Sequence, residues 1–199
     1  MDSKTIQTYD QLAREYDDET IDFWNRFPHD FIDDFASQVE EGIVLDVGSG
    51  PGRDALLLKD KGLDLTCLDA SESMIQLSTE RGLNSIQGDF MQLPFPDAYF
   101  DGVWSYTALL HIQKADVGKA IAEIARVLKP GGVLGLGLIE GEGESYRESS
   151  GVDQPRWFAY YQEAEVMELL GAHGFEAALH SAFQPKSKRY LHFLARKAS

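Results

Sequence analysis

Three glycines at alternate positions, Gly48, Gly50 and Gly52, separate two apolar runs in the stretch IVLDVGSGPGRDALLL, residues 43–58. The first run reads as a short buried strand and the second as a helix, so the glycines form the turn between them. Without a Cβ, such a turn bends tightly and lets a ligand approach the backbone. A dinucleotide fingerprint requires glycine or alanine three residues after its second glycine, and Arg53 holds that place here. Asp46 stands two residues before the loop, where a carboxylate repels a pyrophosphate and attracts a cation. Asp69 follows 17 residues after Gly52, and Asp89 closes the next apolar segment. Three acids at successive strand ends would share one crevice with the loop. Each also has a plain structural reading, Asp46 as an acceptor for a neighbouring amide, Asp69 and Asp89 as turn acids.

Those side chains need a frame. Periodicity predicts helices over 4–18 and roughly 19–40, the second with Phe23, Phe27, Phe31 and Phe35 on one side. Beyond the glycine loop, strands are predicted in LDLTCLD, LNSIQGD, YFDGVWSY and VLGLGLIE. Between them lie helical segments, one of them, ESMIQLSTERG, with Ser71 as its N-cap. Residues 140–156 read as an irregular glycine- and charge-rich piece, followed by a helix near 160–173 and two last strands, FEAALHSAF and RYLHFLAR. Alternating strands and helices imply a mostly parallel sheet covered on both faces. The final pair is joined by too few residues for a crossover and must be antiparallel. The predicted fold is α/β: a doubly wound, mostly parallel seven-stranded sheet with a C-terminal antiparallel hairpin, in a single domain over 1–199. Ligands of such sheets bind at the carboxyl ends of the strands, beside the first loop.

Composition narrows the partners. A formal net charge of -15 disfavours a surface that grips nucleic acid through many phosphates. The single cysteine, Cys67, excludes an internal disulfide, and its place in an apolar run reads as a small buried hydrophobe. No apolar run approaches the roughly 20 residues that span a bilayer, and the start carries no signal-peptide pattern, so no membrane partner and a cytoplasmic location are expected. No His, Asp or Glu spacing points to a metal.

The stretch VLDVGSGPGRDALLL resembles the first motif of the class I S-adenosylmethionine-dependent methyltransferases, small-molecule type. LTCLDASESM resembles their second-strand segment, in which the acid, here Asp69, takes the two ribose hydroxyls. GDFMQLPFPDAYFDGVWS resembles the segment whose acid and neighbour, here Asp89 and Phe90, contact the adenine. RVLKPGGVLGL resembles the turn into the fifth strand, and YDQLAREYDDE is similar to a cap segment whose aromatics, here Tyr9 and Tyr16, close over the cofactor. The resemblance implies a Rossmann-like methyltransferase fold, with 1–40 as a helical cap and 41–199 as the core, and S-adenosyl-L-methionine as cofactor. The cofactor-binding set it implies is Tyr9, Tyr16, Asp46, Gly48, Gly50, Gly52, Arg53, Asp69, Ala70, Met74, Asp89, Phe90 and Ser105. Methyl transfer from a sulfonium is an in-line displacement that needs a base only when the acceptor atom must lose a proton. His111 and Tyr106 lie where acceptors arrive in the family and are the catalytic candidates, though a helix histidine with a satisfied hydrogen bond explains His111 equally well. Nucleic-acid amine methyltransferases carry an Asp/Asn-Pro-Pro-aromatic motif after the fourth strand. SYTA stands there instead, which favours a small-molecule acceptor over a DNA base.

Charge is uneven along the chain. Residues 1–100 balance to -14 and 101–199 to -1, and no acid follows Glu176. If the last hairpin turns at the cofactor face, Lys186, Lys188 and Arg189 join Arg147 and Arg156 around a substrate mouth suited to an anionic molecule. Trp157, Tyr160 and Tyr161 would wall it. Plain surface solvation explains the same cations. Two rival functions remain: a non-enzymatic S-adenosylmethionine-binding module, and a nicotinamide-dependent oxidoreductase, which Arg53 and the antiparallel closing pair disfavour.

Overall fold

The computed structural model describes residues 2–40, 42–149 and 152–199. Three helices come first, α1 (Ser3–Gln11), α2 (Ala13–Trp24) and α3 (His29–Val39). Two long helices were expected over this stretch. The chain instead breaks at Leu12, which leaves helical geometry, and again before Pro28, whose fixed φ and missing N–H place it at the N-cap of α3.

After α3 the chain alternates as its apolar rhythm requires: β1 (Ile43–Val47), α4 (Arg53–Lys59), β2 (Asp64–Asp69), α5 (Glu72–Glu80), β3 (Asn84–Gln87), β4 (Phe100–Tyr106), α6 (Val117–Val127) and β5 (Leu128–Ile139). Two strands follow that stand outside the main sheet, β6 (Glu144–Ser149) and β7 (Val152–Ala159). The chain closes with α7 (Glu163–Ala172), β8 (Phe175–Phe183) and β9 (Tyr190–Lys197). Seven strands form the sheet in the order β3-β2-β1-β4-β5-β9-β8. The first five are mutually parallel, and β9 runs antiparallel to both β5 and β8. The fold class is the expected one. Strand order reverses between β1 and β4, so the crevice opens at their carboxyl ends, where the glycine loop begins.

Each face of the sheet is covered by a helix whose apolar spacing fits it. On α6, Val117, Ala120, Ile121, Ile124 and Val127 repeat at helical intervals and are buried with Phe100, Val103 and Leu134. On the opposite face, Phe31, Ile32, Phe35 and Val39 of α3 bury against Val44, Trp104 and Val133. Fully burying a phenylalanine side chain contributes roughly 1.5–3 kcal/mol, so Phe31 and Phe35 fix α3 to the sheet firmly. Cys67 is buried as a small hydrophobe.

The piece 140–156, expected to be irregular, forms most of the antiparallel hairpin β6–β7. Its composition hides this because glycine and charge are poor in strand propensity. Contacts with α1 hold it instead: the Trp157 N–H donates to Thr5 Oγ1 (2.9 Å), Thr8 Oγ1 to the Pro155 carbonyl (3.3 Å) and Tyr146 Oη to Asp2 (2.7 Å). No helix among the described residues is long and apolar enough to cross a membrane.

Candidate active site

The glycine loop is pinned at its start, where the N–H groups of Gly48 (2.7 Å) and Ser49 (3.1 Å) both donate to the Leu68 carbonyl at the end of β2. Gly48 has φ 73°, and a Cβ there would overlap the Ala108 methyl. Gly50, at φ 51°, differs: a Cβ would meet nothing within 4 Å, so its bare backbone faces open space. Its N–H donates to Asp69 Oδ2 (2.9 Å), and Ser71 N–H donates to Asp69 Oδ1 (2.8 Å). Two backbone donors thus orient one carboxylate at the rim of the loop. Burial pushes the Asp69 pKa up, against the pull of these donors.

An inner pocket lies over the loop. Asp69, Met74 and Phe90 line it from the sheet side, and Tyr9, Tyr16 and Trp24 from the cap helices. Gly48, Gly50 and Arg53 also line it, whereas Gly52, which caps α4 at φ 80°, does not. Arg53 has a second task. Its guanidinium binds Asp17 of α2 (2.6 Å), Arg81 binds the other Asp17 oxygen (2.5 Å), and Arg81 also donates to the Pro51 carbonyl (2.5 Å). One buried carboxylate therefore ties α2 to the glycine loop. Asp54, which sequence reasoning missed, lines the pocket from the first turn of α4 and accepts the Trp104 indole N–H (2.9 Å).

Other candidates lie off this lining. Asp46 is fully buried in β1, between Cys67 and Trp104 of the neighbouring strands, and neither of its oxygens has a hydrogen-bond partner. Asp89 accepts the N–H of Met91 (2.9 Å) across its own turn, while its neighbour Phe90 turns into the pocket. The Ala70 carbonyl accepts from Gln87 (3.0 Å), and Ser105 Oγ donates to the Val47 carbonyl (3.0 Å).

An outer cleft of about 220 Å³ continues from the inner pocket, and Tyr9, Tyr16, Trp24, Thr107 and His111 line both. His111 Nδ1 faces the Trp157 carbonyl (2.5 Å), which only accepts, so Nδ1 carries the proton and Nε2 is an acceptor. Tyr9 Oη donates to that Nε2 (2.8 Å) and in turn accepts from Arg156 (2.9 Å). Burial drives the His111 pKa down to about 3 and keeps the ring neutral. Tyr106, the other catalytic candidate, lines the inner pocket and has its hydroxyl hydrogen-bonded to buried His192 (3.0 Å).

The β8–β9 connection turns at this end, since β8 runs with the parallel strands, and it brings Lys186 and Lys188 into the outer cleft. Lys188 Nζ stands 5.4 Å from the Phe158 ring, beside Arg156, and no carboxylate pairs with it among the described residues. Burial and then Arg156 lower its pKa. Of the residues expected around the substrate mouth, Arg156, Lys186 and Lys188 line the cleft, whereas Arg147, Arg189, Trp157, Tyr160 and Tyr161 do not. Arg147 is exposed over the Tyr160 ring, and Trp157 packs on Tyr146. Phe23, Phe158 and Tyr190 supply the aromatic wall that was expected from Trp157, Tyr160 and Tyr161. The rim also carries Glu19 and Asp22, so its charge is mixed.

The buried histidines set an acid limit. His111 and His192 hold pKa values of about 3 and about 4, below the unfolded value of about 6.5. The unfolded chain therefore takes up protons that the native state refuses, and stability falls as pH drops from about 6.5 toward those values. Urea midpoints at about pH 7 and pH 5 should differ less in His192→Gln than in the wild type. An equal drop in both proteins would refute this origin.

A seven-stranded sheet of this order, with the glycine loop and Asp69 at its switch point, defines a class I S-adenosylmethionine-dependent methyltransferase fold. Residues 45–136 match the methyltransferase domain family. The chain is 38% identical over 102 residues to sterol 24-C-methyltransferase ERG6B of Gibberella zeae, covering 47% of this chain and 26% of that protein. It is 36% identical over 138 residues to the malonyl-[acyl-carrier protein] O-methyltransferase of Herminiimonas arsenicoxydans, covering 67% of this chain and 52% of the relative. The alignments thus span from about a quarter to about half of these relatives' lengths. Among solved structures, the 1,6-didemethyltoxoflavin-N1-methyltransferase of Burkholderia thailandensis, which holds S-adenosylhomocysteine, superposes with a TM-score of 0.74 at 23% identity, over 98% of this chain and 88% of that one.

Proposed function

We propose that the protein transfers a methyl group from S-adenosylmethionine to a small anionic acceptor by in-line displacement. The observation that carries this reading is the junction at Thr107 and His111, where an inner pocket floored by Gly50 and Asp69 opens into a cleft bearing Lys188 and Arg156. Bound S-adenosylmethionine supplies a methyl group on a positively charged sulfur, already activated for displacement. The chain's own residues do the rest. Asp69, held by two backbone donors, has acceptor capacity left for a pair of sugar hydroxyls, and the bare backbone of Gly50 lets a nucleoside come close. Met74 and Phe90 offer apolar faces to a base. Residues 1–40 act as a cap on the core 41–199, with Tyr9, Tyr16 and Trp24 shielding the junction from water.

Aligning acceptor and donor across that junction supplies up to about 7–11 kcal/mol of the barrier through effective concentration. Where the acceptor atom must lose a proton, the proton passes to solvent: His111, whose pKa is driven down to about 3, is too weak a base to hold it, and Tyr9 Oη, oriented by His111 Nε2 and Arg156, positions the acceptor.

Mass-shift screening of carboxylated, phosphorylated and neutral metabolites, with S-adenosylhomocysteine release as the second readout, tests the reading. Anionic compounds should be methylated preferentially. Lys188→Ala should weaken them about tenfold or more, as loss of a charge-assisted contact does, and Lys188→Arg should restore most of it. Equal use of neutral and anionic acceptors would remove the anion preference. Cofactor binding with no turnover on any pool would leave a binding module.

A further inference from the structure

Asp46 has no place in the cofactor contacts described above, yet it is fully buried and both of its oxygens lack a partner. A carboxylate in that position is costly as an anion and is relieved by a proton or a nearby cation. Its surroundings deepen the problem. From β2 it faces the Asp69 carboxylate and the Cys67 thiol, from α4 the Asp54 carboxylate, and from β4 the neutral Trp104. Asp54 in turn faces the phenols of Tyr16 and Tyr106. No cationic side chain pairs with any of the three carboxylates among the described residues, and the nearby arginines Arg53 and Arg81 are both engaged by Asp17. Three acids therefore crowd together, Asp54 and Asp69 in the pocket lining and Asp46 buried beneath it, without a counter-charge among the described residues.

We propose that Asp46 and Asp54 are a charge-sensing pair that releases a proton when a cation enters the inner pocket, so that the site prefers a sulfonium nucleoside to the neutral thioether left after methyl transfer. This rests on the methyl-donor reading above. In the empty site a carboxyl O–H is retained within the pair. Arrival of the positive sulfur replaces that proton, which passes to solvent, and the net charge of the pocket is unchanged. The thioether sulfur brings no such charge, so the proton stays and the Asp46–Asp54 pair adds nothing to binding at the sulfur. Burial and the neighbouring acids push Asp46 well above the usual carboxylate range, and Asp54 is pushed up to about 6, in keeping with a proton held near neutrality. Product would then leave a site that has taken its proton back.

Isothermal titration calorimetry of the full chain with S-adenosylmethionine and S-adenosylhomocysteine tests this. Titrations at about pH 6, 7 and 8, each in two buffers of different ionisation heat, count the protons exchanged. The two ligands share their amino-acid end, so their difference isolates the sulfur. S-adenosylmethionine should release up to about one proton more than S-adenosylhomocysteine at about pH 6, and its relative affinity should rise with pH by up to about tenfold per unit. Asp54→Asn keeps an acceptor for the Trp104 indole and should flatten both trends, as should Asp46→Asn if that variant folds. Equal proton release by the two ligands, or an affinity ratio independent of pH, would overturn the proposal while leaving the methyl-donor reading intact. Failure of both ligands to bind would overturn the two together.

Discussion

Replacing Asp69 with alanine should weaken binding of S-adenosylmethionine and S-adenosylhomocysteine by about 100-fold or more, with the fold retained. Hydrogen bonds to a charged group contribute about 1.5–3 kcal/mol each, and in the proposed function this carboxylate accepts two from a sugar. The substitution also frees the N–H groups of Gly50 and Ser71, which it holds at 2.9 and 2.8 Å, so the loop loses its brace as well as its acceptor. Asp69→Asn keeps one carbonyl oxygen and should show a smaller loss, about tenfold. Equilibrium dialysis or calorimetry with either nucleoside measures the affinity, and circular dichroism checks the fold. An alanine variant that binds as tightly as the wild type would show that the nucleoside sits elsewhere.

The second large effect separates two glycines that look alike in sequence. Gly48→Ala places a methyl on top of Ala108 at a φ of 73°, and should destabilise the protein by about 2–4 kcal/mol from overpacking and left-handed strain combined. For a chain of this size that lowers the melting temperature by roughly 5–15 °C. Gly50→Ala adds a methyl to open space at φ 51°, so only the backbone term of about 1–2 kcal/mol applies to stability. The new methyl occupies the pocket, however, and nucleoside binding should fall sharply. Thermal melts with and without S-adenosylhomocysteine measure both quantities for each variant. If Gly50→Ala melts as low as Gly48→Ala, or binds ligand normally, then Gly50 is not the open edge of the site.

That contrast shows how far residue spacing reaches. The alternation of strands and helices, the N-cap at Ser71, the glycine turn and the position of Asp69 are local properties, written in periods of two and 3.6 and in residues with unusual backbone freedom. They were legible for that reason. The hairpin β6–β7 was not, because its strands are held by α1, a helix some 140 residues away in the chain, and carry little strand propensity of their own. Arg147 and Arg156 looked equivalent as cations in one segment and are partners across the hairpin, yet Arg147 is exposed whereas Arg156 is packed under Tyr9 of α1.

From the sequence alone followed the fold class and the glycine loop, since each depends on neighbours within one turn or strand, while the family resemblance singled out Asp69, Tyr9 and Tyr16, which line the inner pocket. Tertiary structure decided which carboxylates reach the pocket: Asp54 does, while Asp46 lies sealed beneath it and Asp89 closes its own turn. It also decided that Lys188 joins Arg156 and that His111 keeps a neutral, oriented ring. Burial and charge at a point are sums over every element packed there, and no window of a single chain contains those sums.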